Sequence, residues 1–268
     1  YQMFLIGCGA EALEAMLSNL SGSSCQPQSR MKADLVDTLG PGASAKVDPL
    51  PYLDKASQHI LSDASTLFPF QHAGLKRFGT IPRADHTEYA RLVGIQVQSG
   101  KLVLSDQACA GGTVFTVGKP AGKLREVWHG RRVSLAAARP PKPLHLASPT
   151  ALLDLEASED ARIHVSKRDA RCYFDQLRLP DHLWQWFGQP KLRVSEIVRN
   201  STLGLRDLQR AWVGKAPLCM DSWVVPLRAT WPMGFSWSSF VAQARLLGCC
   251  YAAGLQENQI LCDDADSP

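Results

Sequence analysis

Apolar and polar positions along this chain change period several times, and each change marks an element. In "DHTEYARLVGIQVQSG", Asp85 to Gly100, the Leu, Val and Ile positions follow a helical spacing, and Gly100 stands where such a helix closes. The β-rich arms Thr113 to Val117 and Lys123 to Trp128 flank the turn-rich "GKPAG", a pattern that predicts a hairpin. "PTALLDLEASEDA" predicts a short helix, Ile163 to Asp169 a strand, and Tyr173 to Leu179 a short helical or irregular stretch. "SWVVPLRATWPMGFSWSSFVAQARLLGCCYAAG" predicts a strand, a Pro-Met-Gly-Phe turn, and a helix from about Ser238 to Gly254. Its apolar face would use Phe240, Val241, Ala244, Leu247 and Tyr251, and its serines are suited to capping it. Upstream, residues 1 to about 75 place helical patterns at Glu11 to Leu20 and Tyr52 to Ser62 between the breaker stretches "SGSSCQPQS" and "GPGASAKVDPLP". No internal repeat is visible.

Composition fits a globular chain with a real core: 268 residues, 45% hydrophobic. No apolar run approaches the roughly 18 to 20 residues that span a bilayer. The opening "YQMFLIGCGAEALEAML" lacks the basic start and cleavage pattern of a secretion signal, so the expected address is intracellular. The sequon Asn200-Ser201-Thr202 matters only for a secreted protein. Eight cysteines occur without a C-x-x-C pair or a matching His cluster, which favours buried free thiols over zinc or a disulfide framework. A start at Tyr1 rather than Met suggests a piece of something longer.

A net charge of +4 is too weak to demand a nucleic-acid partner, but its distribution is uneven. Lys119, Lys123, Arg125, Arg131, Arg132, Arg139 and Lys142 face the lone Glu126, and Lys191, Arg193, Arg199, Arg206, Arg210 and Lys215 face only Glu196 and Asp207. Such tracts read either as solvated faces or as a groove that neutralises phosphates.

Between the tracts lies "RIHVSKRDARCYFDQLRLP", an alternating run that ends on Lys167-Arg168-Asp169 and restarts as an aromatic segment. A carboxylate at a strand end is commonly a turn former, and it is also a metal ligand in the right company. Three stretches supply that company. Arg125-Glu-Val-Trp-His-Gly-Arg131 resembles the fingers pattern R-x-x-x-D-x-R of reverse transcriptases, departing from it at His129, with Lys119 and Lys123 on the hairpin before it. Asp169-Ala-Arg-Cys-Tyr-Phe174-Asp-Gln176-Leu177 resembles polymerase motif A, D-x-x-x-x-[FY]-x-Q-[IL], without a gap. Pro232-Met233-Gly234-Phe235-Ser236, with Gln243 beyond it, is similar to motif B. Each is weak alone; in this order, over about Thr113 to Tyr251, they resemble the reverse transcriptase domain of a retroelement.

The resemblance implies an α+β right-hand polymerase fold, with an antiparallel palm sheet packed on helices and the thumb missing or incomplete. It divides the chain into an N-terminal extension (1–75), fingers with the basic hairpin (76–145), palm with motif A (146–180), an insertion (181–221) and palm with motif B (222–268). It also implies template-directed transfer of deoxynucleotides to a primer 3′-hydroxyl by two Mg²⁺ or Mn²⁺ ions, with an RNA template, a DNA primer and deoxynucleoside triphosphates as partners and no membrane. Asp169 and the backbone carbonyl of Ala170 would be metal ligands, and Phe174 would sit against the sugar and exclude a 2′-hydroxyl, unless it is simply core. Lys123 and Arg125 would clamp the triphosphate. Met233 and Gly234 would lie under the nascent base pair, with Gln243 also on the nucleotide side, and Lys119 and Arg131 would contact nucleic acid. Trp231 and Trp237 are expected to pack rather than stack on bases, and Asp175 to be structural.

Motif C, which supplies the remaining carboxylates, has one candidate: Asp263 and Asp264 in "QILCDDADSP". The polar "LQENQ" before them and "ADSP" after them suit an extended tail better than a central hairpin, which would put the true motif C beyond Pro268. The chain by itself is therefore expected to be inactive or nearly so. A catalytically inactive polymerase remnant that binds nucleic acid or protein, and an RNA-templated RNA polymerase, are the alternatives the same residues allow.

Overall fold

A computed structural model describes residues 2–5, 28–69, 78–142 and 166–260, with 2–5 and 166–169 described by backbone alone. The strands are β1 Gln2–Leu5, β2 Gln28–Ser29, β3 Leu102–Ser105, β4 Thr113–Gly118, β5 Leu124–His129, β6 Ser166–Asp169, β7 Leu192–Arg193 and β8 Trp223–Arg228. The α-helices are α1 Lys55–Leu61, α2 Ala64–Leu67, α3 His86–Ser99, α4 Arg131–Ala136, α5 Tyr173–Gln176, α6 Val194–Asn200, α7 Leu205–Arg210 and α8 Ser238–Ala252. Short 3-10 turns join several of them. The class is α+β, as expected, and among the described residues the strands pair antiparallel: β1-β6, β2-β4-β5 and β3-β8-β7.

The chain divides into two compact units. The smaller comprises Tyr1–Cys25, Lys142–Tyr173 and Leu246–Pro268. Within it β6 pairs with β1, Gln2 opposite Asp169 and Leu5 opposite Ser166, so Asp169 closes its strand as the alternating sequence predicts. The predicted helices at Glu11 to Leu20 and in "PTALLDLEASEDA" lie outside the described residues.

The larger unit comprises Gln26–Pro141 and Phe174–Arg245. Its β4-β5 hairpin has the predicted arms, with Thr113 opposite His129 and Gly118 opposite Leu124. The loop closes because Ala121 and Gly122 both take left-handed φ values, 60° and 70°, and the Lys119 N–H donates to the Lys123 carbonyl at 2.7 Å. α3 ends at Gly100, φ 82°, whose conformation lets the Lys101 N–H reach back to the Gln96 carbonyl at 2.9 Å. Asp54 caps α1 and Asp63 caps α2 by accepting from the N–H groups of Ser57 and Thr66.

Part of the segment set apart in sequence as an extension is built into this unit. β2 adds to the outer edge of β4, with Gln28 opposite Val117. Val36 bridges to Leu124 at the loop end of β5, and the Asp37 N–H donates to the Leu124 carbonyl. Acidic side chains of α3 and the turn before it hold the strap between: Asp85 accepts from the Met31 N–H and Glu88 from the Ala33 N–H, while Arg91 pairs with Asp34 at 2.8 Å. Further on, Val47 bridges to Leu177.

The core of this unit is aromatic. Trp128, Trp231, Trp237, Tyr89, Phe68 and Phe187 are fully buried, Phe68 stacks on Trp186 with centroids 4.0 Å apart, and Phe187 meets Phe235 edge-on at 4.8 Å. Trp231 and Trp237 pack as expected, their indole N–H groups donating to the carbonyls of Arg178 and Ala138. In α8, Phe240 and Val241 are buried, whereas Tyr251 is exposed and does not extend the apolar face; the Ser238 hydroxyl donates to the Pro232 carbonyl at 2.7 Å. Among the described residues most thiols depart from expectation; Cys8, Cys25 and Cys262 lie outside them. Cys250 is buried, but Cys109, Cys219 and Cys249 are exposed and Cys172 is half-exposed, because most lie in turns or on an outward helix face that the local apolar pattern does not distinguish.

Candidate functional site

The hairpin divides its residues by strand alternation. Leu124, Glu126 and Trp128 point inward with Val114 and Thr116, whereas Arg125, Val127 and His129 occupy the outer face with Thr113, Phe115 and Val117. Arg125 and His129 are exposed, and so are Arg131 and Arg132 at the start of α4. His129, Arg131 and Arg132 line a cavity of about 450 Å³ with Gly79, Gly111 and Gly112. Its walls require glycine: a Cβ on Gly79 would overlap the Thr113 side chain, and one on Gly112 would lie 2.6 Å from the His129 carbonyl oxygen.

Lys119 and Lys123 do not stand free. Both ammonium groups meet Asp37, Lys119 at 2.5 Å and Lys123 at 3.1 Å. The Lys119 hydrogen bond, with Lys123 beside it, holds the Asp37 carboxyl below its ordinary range despite partial burial.

Inside the hairpin, Glu126 is the hub of a buried network. It accepts from Lys101 Nζ at 2.8 Å, from Arg228, from Gln96, and from Gln189 at 3.5 Å. Lys101 Nζ also lies 2.9 Å from Asp175, giving two cations and two carboxylates in one cluster. Burial pushes the Glu126 pKa up, but Arg228 and Lys101 outweigh it and bring the value to about 2. Burial likewise works against the Lys101 ammonium, and Asp175 and Glu126 overcome it, raising the pKa. Tyr89, buried near Glu126, has its hydroxyl pKa raised by burial first and by that carboxylate second, and donates to the Pro190 carbonyl at 2.8 Å.

Parts of the three stretches that resemble polymerase motifs meet in the larger unit, which holds the motif A stretch only from Phe174 onward. Gly234, φ 108°, lies against the hairpin so closely that a Cβ would stand 2.5 Å from the Trp128 carbonyl oxygen. The Ser236 N–H donates to Ser134 Oγ at 3.2 Å. Downstream of α5, the Trp231 N–H donates to the Leu177 carbonyl and the Leu179 N–H to that of Ala229, which ties the second half of the motif A stretch to the approach to motif B. Asp175, within the motif A stretch, reaches Glu126 of the fingers stretch through Lys101.

The remaining site residues distribute as follows. Phe174 is half-buried, Met233 is 40% exposed, Gly234 is exposed, and Gln243 is buried on α8. Ala170 is exposed just after β6, and Asp169 ends that strand. Asp263 and Asp264, with any tail geometry they have, lie outside the described residues. A hard divalent cation takes six or more oxygen ligands; Asp169 and the Ala170 carbonyl would supply a small part of that, and among the described residues no group of three His, Cys, Asp or Glu converges. The described residues alone do not fit a two-metal site.

Sequence reading missed Glu126 as a hub and Asp37 as a partner of the lysines. The first had a signal, since Glu126 shares the phase of Leu124 and Trp128 on one strand; the second had none within reach of a local pattern. Among the described residues, no helix is long and apolar enough to cross a membrane. No model of a known protein family matches this chain, and no curated protein matches it in sequence.

Proposed function

We propose that this chain is the fingers-and-palm part of a retroelement-type RNA-directed DNA polymerase. The observation that carries the reading is the mutual packing of stretches far apart in sequence: Gly234 against the Trp128 carbonyl, with Leu177 hydrogen-bonded to Trp231. The fingers and motif B stretches and the motif A stretch from Phe174 onward share the larger unit, whereas Asp169 and Ala170 fall in the smaller one. In this reading the exposed Arg125 and Arg131, with Lys119 and Lys123, face phosphates; Phe174 faces the sugar; and Met233 and Gly234 face the base pair. The role of Asp169 and Ala170 at two Mg²⁺ or Mn²⁺ ions rests on the motif A resemblance alone, and the set would need further carboxylates, from Asp263 and Asp264 or elsewhere.

The test is primer extension by the full-length protein on an RNA template with deoxynucleotides and Mg²⁺ or Mn²⁺. Asp169→Asn should abolish incorporation while leaving the circular dichroism spectrum and melting temperature unchanged, because the lost ligand charge matters in the transition state. Incorporation by a folded Asp169→Asn protein would sink the reading.

A non-catalytic nucleic-acid-binding module is the second reading. The glycine-walled cavity with His129, Arg131 and Arg132 favours it, since that arrangement suits a phosphodiester whether or not a metal site exists. Salt-sensitive oligonucleotide binding by a protein inert in primer extension would select it.

A further inference from the structure

We propose that Asp37 is an internal competitor for phosphate, occupying the lysine pair of the hairpin and setting a ceiling on its affinity for polyanions. The carboxylate is fixed from both sides. Its own N–H donates to the Leu124 carbonyl at 3.1 Å, and the strap carrying it is bound to β4 at Gln28 and Ser29 and to the α3 region through Asp85, Glu88 and Arg91. The lysines are the movable partners. Lys119 and Lys123 are 31% and 55% exposed, while Asp37 is 19% exposed. Their backbones are locked across the loop by the hydrogen bond from the Lys119 N–H to the Lys123 carbonyl, so both side chains start from one short stretch of hairpin.

A fixed carboxylate between two flexible ammonium groups leaves a net charge of one where the sequence alone shows two. A phosphate approaching this end of the hairpin must either draw the lysines away from Asp37 or bind beside a negative charge. Each option weakens phosphate binding relative to a free lysine pair. The inference rests on reading Lys119 and Lys123 as phosphate-facing, and the ligand chemistry, a chain of phosphates, is common to a free triphosphate and to a nucleic-acid strand.

Binding of tripolyphosphate and of a single-stranded oligonucleotide is measured over a range of salt for the wild type and Asp37→Asn. Asp37→Asn should bind one or both probes about 3- to 10-fold more tightly at low salt, and for the oligonucleotide the slope of log K against log salt should steepen by about 0.7 for each phosphate newly contacted. A gain confined to tripolyphosphate assigns the site to a free polyphosphate, and one confined to the oligonucleotide assigns it to a strand. Adding Lys119→Gln and Lys123→Gln should cancel the gain. Unchanged or weaker binding of both probes by a folded Asp37→Asn protein overturns the proposal. If Asp37→Asn does not fold, Lys119→Gln/Lys123→Gln in the otherwise wild-type protein decides: a nearly unchanged oligonucleotide slope supports competition, and a loss of about 1.4, two phosphates, overturns it. Tighter binding by Asp37→Asn in a full-length protein that never extends a primer would leave this inference standing and remove the polymerase reading, whereas extension by the full-length protein with unchanged binding would do the reverse.

Discussion

Lys101 Nζ lies 2.8 Å from Glu126 Oε2, and both side chains are almost wholly buried. Asp175 and Arg228 complete a cluster whose charges balance, which is the condition under which buried ions persist. The cluster joins the inner face of the hairpin to the end of α3, to α5 and to β8. It is a strut between the stretches that resemble the fingers pattern and motif A.

Removing one charge from this strut should cost far more than removing an exposed one. Glu126→Gln leaves Lys101 and Arg228 facing each other with a single carboxylate nearby, and a loss of about 3 to 5 kcal/mol in urea unfolding at pH 7 is expected. Arg210→Gln, whose pairing with Asp207 is on the surface, should cost under about 1 kcal/mol. Equal losses would mean that the network is not a stabilising unit.

Acid sensitivity should follow from the same residue. Glu126 has a folded pKa of about 2 against an ordinary 4.5, so the unfolded chain takes up its proton first as pH falls. The resulting stability is fully present above about pH 4.5 and is lost progressively between there and about pH 2, on the order of 3 kcal/mol in all. Unfolding free energies measured from pH 7 to pH 2 should therefore converge for the wild type and Glu126→Gln, with the gap closing mainly below pH 4.5. A constant gap would assign the stabilisation to packing rather than to charge.

Gly234→Ala should be costly for two separate reasons. A φ of 108° is strained for any L side chain, and the added Cβ would stand 2.5 Å from a backbone oxygen that cannot swing aside. Gly122 also has a positive φ, 70°, but open space around it. Gly122→Ala should cost about 1 kcal/mol and Gly234→Ala distinctly more, upward of about 3 kcal/mol, in thermal or urea unfolding. Similar values for the two would show that the Trp128 contact is not tight in solution.

The hairpin, α3 with its Gly100 stop, β8 and the start of α8 are legible in sequence because each depends on a period or a turn residue within a dozen positions. Asp175, expected to be structural, pairs with Lys101, 74 residues away. Long-range pairings such as Val47 with Leu177, or Asp37 with the hairpin lysines, leave no local trace, since any short polar stretch could have made them. Glu126 illustrates a different failure. Counted as one acid among many bases it looks solvated, but its alternation with Leu124 and Trp128 places it inside, and burial then demands cations, which come from Lys101 and Arg228, outside both basic tracts.

Phe174 separates a role in sugar choice from a role in packing. It is half-buried, whereas Phe187 is fully buried among Phe68, Trp128 and Phe235. Truncating Phe187 to alanine should cost about 3 to 5 kcal/mol, and truncating Phe174 clearly less, because fewer of its contacts are lost and less of a cavity is left. If its exposed part faces the sugar of an incoming nucleotide, Phe174→Ala in the full-length protein should raise ribonucleotide use relative to deoxynucleotide use by about 10-fold or more, the usual scale for relieving one steric clash in a pocket. The two measurements move independently. A large drop in melting temperature with an unchanged sugar ratio would assign Phe174 to the core, whereas a small drop with a shifted ratio would make it the residue that selects the sugar.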